Sequence, residues 1–319
     1  MSDSGTRSGV IGARGRVEIG LVDLFDGSPE RDLAFMTQFA RAVENAGFDG
    51  IWLPEHMLFF ERYDSVYPYP EAPLAARPDV KERHNKIVEG KAQVETAPDQ
   101  GLLDIFQTAV EVCAATTRLR FGSSVLLLPL RNPRILAREA LTVAELTGGR
   151  FDLGVGVGWS AEELAACESD FRTRGKRCEQ LVRALTDAWG GGDRPGPALP
   201  VGIPAPRVLV GGHSAAAIRR AGTVADGWYP WNLTPAELAD GLRTLEHHVE
   251  ASGRSRDDLH VIAGFRGVGE LSDLPEIVRR YAALGVDGIN ISLRMTVDNY
   301  GEVLAEAADA LGLGGGNAR

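Results

Sequence analysis

The sequence of 319 residues predicts a (β/α)8 barrel, a TIM barrel, with an insertion after the second strand. One unit recurs along the chain: a short apolar strand, a capping residue, an amphipathic helix and a glycine. Strands and helices that alternate in this way form parallel sheets with right-handed crossovers, and eight repeats in a chain of this length are typical of a closed barrel. The turn after the first strand also lacks the GxGxxG sequence of an open, doubly wound sheet, which is the structural alternative.

Each predicted strand is followed by a helical segment. The strands span residues 17–25, 48–54, 119–129, 150–157, 207–210, 226–231, 260–265 and 288–293. Ser28 and Pro29 are expected to begin the first helix and Gly47 to end it. A capping box formed by Thr234 and Glu237 predicts the start of a later helix.

A single barrel domain is expected over residues 17–313. Residues 1–16 are expected to form a disordered tail and residues 314–319 a flexible one. The segment 57–100 interrupts the connection after the second strand and is too long for a plain loop. It is expected to be a lid or a binding loop, with a merely solvated excursion as the alternative.

The composition favours a soluble globular protein that acts on small molecules. Apolar residues make up 44% of the chain and charged residues 24%. The formal charge of -10 argues against a nucleic-acid partner, which would normally face a basic stripe. No apolar run is long enough for a membrane span or a signal peptide, and the three cysteines lack metal-ligand spacing. A cytoplasmic protein with no metal site and no membrane partner is therefore expected.

The C-terminal ends of barrel strands normally carry the chemistry, and the second strand ends in Glu55 and His56. An imidazole at that position can bond a substrate hydroxyl or hold a proton near neutral pH. A capping or core histidine is the alternative interpretation. Because of their place at the predicted rim, His56 and Glu55 are the candidate catalytic residues.

Two glycine-rich strand ends are candidate binding segments. Gly211, Gly212 and His213 precede a helix that Ser214 could cap, and backbone N–H groups at a helix start can bind phosphate. A plain turn explains the same residues. The second segment contains Gly154, Gly156 and Gly158 and ends in Trp159. Its glycines either let a flat ring approach the backbone or let barrel side chains pack closely.

Four segments together resemble the luciferase-like flavin and deazaflavin oxidoreductases, and more narrowly the branch that uses coenzyme F420. They are residues 48–56 (FDGIWLPEH), 119–129 (LRFGSSVLLLP), 148–159 (GGRFDLGVGVGW) and 210–213 (VGGH). The resemblance covers nearly the whole chain and implies the same barrel fold.

The resemblance also implies where a cofactor ring would rest. In this family the ring lies against a bulge at the end of the third strand, often with a cis peptide bond, which falls here at Ser124 and Val125. Leu127, Gly156, Gly158, Trp159 and residues 211–213 complete the expected cofactor site. Some F420-dependent sugar dehydrogenases carry a glutamate where Trp159 stands, and this departure argues against a sugar phosphate as substrate.

The resemblance implies hydride transfer between F420 and a small, partly apolar organic substrate. A monooxygenase that uses reduced FMN is the first alternative, and a non-catalytic cofactor-binding paralogue is the second. A homodimer is the expected assembly.

Overall fold

The structure is a computed structural model and describes residues 9–22, 32–60, 63–65, 68, 85–88, 91–94, 102–190, 199–266, 271–293 and 295–314. Within these residues, eight parallel strands form a closed barrel. The strands are β1 (Glu18–Val22), β2 (Gly50–Leu53), β3 (Arg120–Ser123), β4 (Phe151–Gly156), β5 (Arg207–Gly211), β6 (Gly227–Tyr229), β7 (His260–Arg266) and β8 (Gly288–Ser292). Each pairs with the next, and β8 pairs with β1, which confirms the predicted (β/α)8 fold.

Helices cover the outside of this barrel. In the described part of the chain they are α1 (Leu33–Ala46), α2 (Ile105–Ala115), α3 (Pro133–Leu146), α4 (Ala161–Ala166), α5 (Arg174–Trp189), α6 (Ala215–Val224), α7 (Pro235–Ala251), α8 (Leu274–Ala282) and α9 (Tyr300–Leu311). Their apolar faces bury residues such as Phe39, Val112 and Leu185 against the outer face of the sheet. This layer is the main hydrophobic core.

A second, smaller cluster fills the barrel centre near the C-terminal ends of the strands. It contains Val22, Trp52, Leu209, Tyr229 and Ile262. The rings of Trp52 and Tyr229 stack with centroids 5.0 Å apart and planes 9° apart. A Cβ atom on Gly122 would lie 2.4 Å from the Trp52 ring, so a side chain at that position would displace the indole. The centre of the barrel therefore supports the end at which the candidate site lies.

One predicted boundary is wrong, and part of the expected N-terminal tail has secondary structure. Helix α1 begins at Leu33 with Asp32 as its N-cap, later than the predicted Ser28, because the Asp32 carboxylate accepts the N–H of Phe35 at 2.7 Å. The expected disordered tail contains an antiparallel hairpin, Ile11–Gly12 with Gly15–Arg16. That hairpin contacts the barrel through Ala13, whose N–H donates to the Ala282 carbonyl at 3.1 Å.

The third predicted strand, residues 119–129, is divided in two. Strand β3 ends at Ser123, a cis peptide bond joins Ser124 to Val125, and the two-residue strand Leu126–Leu127 then pairs with β4. A 3-10 turn, Leu128–Leu130, follows. The cis bond lies where the family resemblance implies it.

The predicted insertion at residues 57–100 is described only in part. Asn85–Val88 and Lys91–Val94 form an antiparallel hairpin. The expected first-strand end at residues 23–25, the capping position Ser28 and the C-terminal residues 315–319 lie outside the described residues.

Candidate active site

His56 lies just beyond the end of β2, with Pro54 and Glu55 between it and the last strand residue. Its side chain is one-fifth exposed. The ring nitrogen Nδ1 lies 2.8 Å from Oε2 of Glu163, a residue 107 positions further along the chain. The predicted catalytic histidine is therefore bonded to a carboxylate that the sequence analysis did not select.

Glu163 lies in the first turn of α4 and is fully buried. Besides the imidazole, its carboxylate accepts the backbone N–H of Met57 at 2.6 Å and that of Leu58 at 3.2 Å, both on Oε1. Ser160 caps α4 by accepting the N–H of Glu163 at 3.0 Å. The spacing of Ser160 and Glu163 matches a capping box, which in a sequence indicates only a helix start. Here the carboxylate reaches across to the loop after β2 instead.

The neighbouring Glu162 holds a later part of the same loop. Its Oε1 accepts the N–H groups of Asp64 at 2.6 Å and Ser65 at 2.9 Å. Partial burial by itself would raise the pKa of Glu162, but these hydrogen bonds and others outweigh it and lower the pKa to about 2. In turn, the Ser65 hydroxyl accepts a hydrogen bond from the N–H of Ala161 at 2.8 Å. The first turn of α4 thus anchors the described part of the loop at both ends.

Glu55 is buried, and it faces the segment after the cis bond rather than His56. Its carboxylate accepts the N–H of Leu127 at 2.8 Å and forms an ion pair with Arg131. Burial raises the pKa of Glu55, although Arg131 and the Leu127 hydrogen bond oppose the shift. The sequence alone does not show these partners of Glu55, which lie 72 and 76 residues further along the chain. Glu55 and Leu127 join the end of β2 to the segment that follows Val125.

Val125 lies between two glycines of neighbouring strands, Gly156 of β4 and Gly211 of β5. A Cβ atom on Gly156 would lie 2.4 Å from Cγ2 of Val125, and one on Gly211 would lie 2.9 Å from its Cγ1. A Cβ on Gly154 would meet the Ser123 carbonyl oxygen at 2.0 Å. These contacts favour close packing of protein atoms over direct approach of a ring at Gly154 and Gly156. The glycines therefore shape the site through Val125.

The hydroxyl of Ser124 joins a short polar chain in the barrel centre. Ser124 Oγ lies 3.1 Å from the hydroxyl of Tyr229, which also accepts a hydrogen bond from Nδ2 of Asn290 at 3.1 Å. Asn290 is buried, and a Cβ on Gly20 would lie 2.3 Å from its Oδ1. These bonds connect the residue before the cis bond to the opposite side of the barrel.

Aromatic side chains surround His56 at the mouth of the site. The His56 ring lies 5.3 Å from that of Phe59 and 6.2 Å from that of Trp159, measured between centroids. Tyr63 is buried 4.8 Å from Trp159. Met57, which follows His56, is partly exposed at the same mouth. Trp159, predicted from the end of β4, therefore belongs to the same group as His56.

Gly211 is the last residue of β5, and residues 212–214 lie between it and α6. Gly212 has a φ of 95°, a conformation that favours glycine, and its N–H already donates to the Tyr229 carbonyl at 3.2 Å. Ser214 caps α6 by accepting the N–H of Ala217. His213 is exposed. The segment is therefore a capped turn in which the Gly212 N–H is used internally.

A basic residue lies close to the end of β4. The Nε of Arg174, the first residue of α5, donates to the carbonyl of Gly158 at 3.2 Å. Gly158 has a φ of 76°, and a Cβ there would lie 2.8 Å from the side chain of Leu164 in α4. Gly158 and Arg174 thus lie together just beyond the C-terminal end of β4.

The described residues contain no group of His, Cys, Asp and Glu side chains that could hold a metal ion. Within the same ranges, no helix combines the length and apolar character needed to cross a membrane.

The sequence is similar to that of one protein family and of several bacterial proteins. The sequence model of the luciferase-like monooxygenases matches residues 91–289. The chain is 33% identical over 266 residues to an uncharacterized protein of Mycobacterium tuberculosis, which covers 76% of this chain and 82% of the relative. It is 29% identical over 177 residues to the F420-dependent glucose-6-phosphate dehydrogenase of Nakamurella multipartita, covering 47% and 49% respectively.

A solved structure shares the fold at low sequence identity. An F420-dependent secondary alcohol dehydrogenase in complex with an F420-acetone adduct superposes with a TM-score of 0.68 at 13% identity. The superposition covers 93% of this chain and 99% of that one.

Proposed function

Because the chain belongs to the luciferase-like monooxygenase family, we propose that it is an oxidoreductase that exchanges hydride between F420 and a small, partly apolar organic substrate. The observation that carries this proposal is the bonded pair of His56 and Glu163 at a mouth lined by Phe59 and Trp159. An imidazole held in place by a carboxylate is suited to move a proton while a cofactor moves the hydride.

The residues at the C-terminal end of the barrel fit a deazaflavin cofactor. Ser124 and Val125 would brace the ring, since Val125 is held between strands β4 and β5. Residues 211–213 before α6 and the guanidinium of Arg174 would meet the anionic phosphate end. When bound, the deazaflavin supplies a ring carbon that accepts or donates hydride.

The chain itself would bind and orient the substrate and hold the proton. His56 would take up or release that proton, and Glu163 would keep the ring in place. The aromatic rings of Phe59 and Trp159 would exclude water from the reacting centre. This chain has Trp159 at the position where some F420-dependent sugar dehydrogenases carry a glutamate. We therefore propose an organic substrate with an apolar part rather than a sugar phosphate.

The cofactor preference is testable by titration of the purified protein with F420, FMN and NAD, monitored by fluorescence. We expect F420 to bind with clear preference over the other two. Tight binding of FMN without detectable binding of F420 would favour a reduced-FMN monooxygenase instead. If none of the three binds, the proposed redox function fails. The homodimer and the cytoplasmic location stay predictions.

A further inference from the structure

Two backbone donors and one imidazole nitrogen converge on the buried carboxylate of Glu163. The N–H groups of Met57 and Leu58 occupy Oε1 at 2.6 and 3.2 Å, and Nδ1 of His56 lies 2.8 Å from Oε2. An ionised carboxylate only accepts hydrogen bonds, so the neutral imidazole must carry its proton on Nδ1 to satisfy this contact. The hydrogen bond of one ring nitrogen decides the state of the other.

We propose that Glu163 is a positioning residue that fixes the proton of His56 on Nδ1 and leaves Nε2 to accept a proton from the substrate. The part that concerns the substrate rests on the proposed function, whereas the tautomer is a property of the protein alone. In the oxidising direction, a substrate O–H bond breaks and its proton passes to Nε2. The C–H bond on the carbon that bears this oxygen would also break, with its hydride passing to F420, when bound, and a carbonyl would form. The resulting imidazolium keeps its Nδ1–H bond to the Glu163 carboxylate.

The backbone N–H groups of Met57 and Leu58 can only donate hydrogen bonds. They therefore fix which atom of a substituted side chain must face them. In a Glu163→Gln protein the amide oxygen must face the N–H groups of Met57 and Leu58, since an amide nitrogen cannot accept their hydrogen bonds. The amide NH2 group then faces Nδ1 of His56, which can accept only if it carries no proton. Glu163→Gln is therefore expected to move the proton of the neutral ring from Nδ1 to Nε2.

The tautomer can be read directly from the full-length protein labelled with 15N-histidine. Long-range 1H–15N correlation spectra at mildly alkaline pH, where ordinary imidazoles are neutral, distinguish a protonated Nδ1 from a protonated Nε2. The chain has six histidines, and the His56 signals are assigned by their loss in a His56→Gln protein. We expect Nδ1–H in the wild type and Nε2–H in the Glu163→Gln protein.

Glu162→Gln is the matched control. Glu162 lies in the same turn and also accepts backbone N–H groups, but its carboxylate accepts hydrogen bonds from Asp64, Ser65 and Ser160, so its substitution should leave the His56 tautomer unchanged. A wild-type spectrum with the proton on Nε2 overturns the proposal, as does a folded Glu163→Gln protein that retains Nδ1–H. If Glu163→Gln does not fold by circular dichroism, the wild-type spectrum alone decides.

Kinetics provide a second test once a reacting substrate is known. In serine proteases, a carboxylate-to-amide change that inverts the tautomer of the catalytic histidine lowers kcat by about 10,000-fold. For Glu163→Gln we expect kcat to fall at least about 100-fold, the lower range for loss of a proton-transfer group, with KM little changed. A wild-type kcat in a protein with an inverted tautomer overturns the catalytic part only. Failure of F420 to bind would overturn the proposed function and leave the tautomer result standing.

Discussion

Arg207 donates two parallel hydrogen bonds to the buried carboxylate of Asp152, from Nε to Oδ1 at 2.7 Å and from Nη2 to Oδ2 at 2.8 Å. Arg120 donates two more, at 2.9 and 2.8 Å. The three residues lie at the beginning of adjacent strands, at the end of the barrel opposite the candidate active site. Bidentate pairs of this kind are strong, and a buried carboxylate needs them.

Asp152→Asn should destabilise the fold without changing the active site. The amide would leave two guanidinium groups beside a neutral, buried side chain, and breaking such a pair typically costs about 3–5 kcal/mol. Urea unfolding measures the free energy of unfolding. Asp240→Asn is the control, because its ion pair with Arg243 is exposed and should contribute about 0–1 kcal/mol. Equal losses in the two proteins would contradict a special role for Asp152.

Stability should also depend on pH through Asp152. Burial by itself would raise the pKa of Asp152, but the hydrogen bonds and charges of Arg207 and Arg120 outweigh it and lower the pKa. A carboxyl group with a lowered folded-state pKa stabilises the fold above its unfolded pKa of about 3.9 and loses that contribution as pH falls through the folded value. The difference in unfolding free energy between wild type and Asp152→Asn should therefore be constant near neutral pH and shrink below about pH 4. A difference that grows on acidification would show the opposite shift.

Gly156→Ala should weaken F420 binding by displacing Val125. The added Cβ would lie 2.4 Å from Val125 Cγ2, and overpacking of this kind typically costs about 1–3 kcal/mol. In the double variant Gly156→Ala with Val125→Ala, the smaller side chain at position 125 leaves room for the added Cβ. This variant should recover part of the unfolding free energy that Gly156→Ala alone loses. Fluorescence titration gives the affinity, and thermal melting gives the stability.

Gly301→Ala is the control for that substitution. Gly301 lies in α9 with open space where its Cβ would be, so the change should leave affinity near wild type and should leave stability equal or raise it by up to about 1 kcal/mol. If Gly156→Ala behaves like Gly301→Ala, Val125 is not held by the packing described above.

His56→Ala and Gly212→Val should have opposite effects. Loss of the imidazole should lower kcat by about 100- to 10,000-fold with little change in F420 affinity, because the proposed function gives His56 the transfer of the substrate proton. Valine at position 212 would be strained at a φ of 95° and would disturb the turn before α6, so affinity should fall first. Steady-state kinetics and binding titrations on proteins shown to be folded separate the two. Near-normal turnover by His56→Ala would make the histidine structural.

The sequence by itself determined the elements of the fold because their signals are local. Apolar runs, caps and glycines mark each strand and helix, and eight alternating units leave few arrangements besides a closed barrel. The position of His56 at a strand end follows from the same pattern, and the cis bond between Ser124 and Val125 was implied by the family resemblance. The start of α1 was misplaced because serine and aspartate are both favoured as N-caps, and the helix begins directly after Asp32.

Only the tertiary structure decided which side chains meet at the site. His56 and Glu163 are 107 residues apart, and the closed sheet brings the loops after β2 and β4 together. The closed sheet also brings the Glu55 carboxylate to the N–H of Leu127 and the side chain of Arg131. In the same way it packs Val125 into the space beside Gly156. Such contacts leave no local sequence pattern, because the identity of a glutamate or a glycine does not indicate which residue it contacts in the folded protein. The physical reason is that hydrogen bonding and packing depend on distances in space, whereas sequence patterns record distances along the chain.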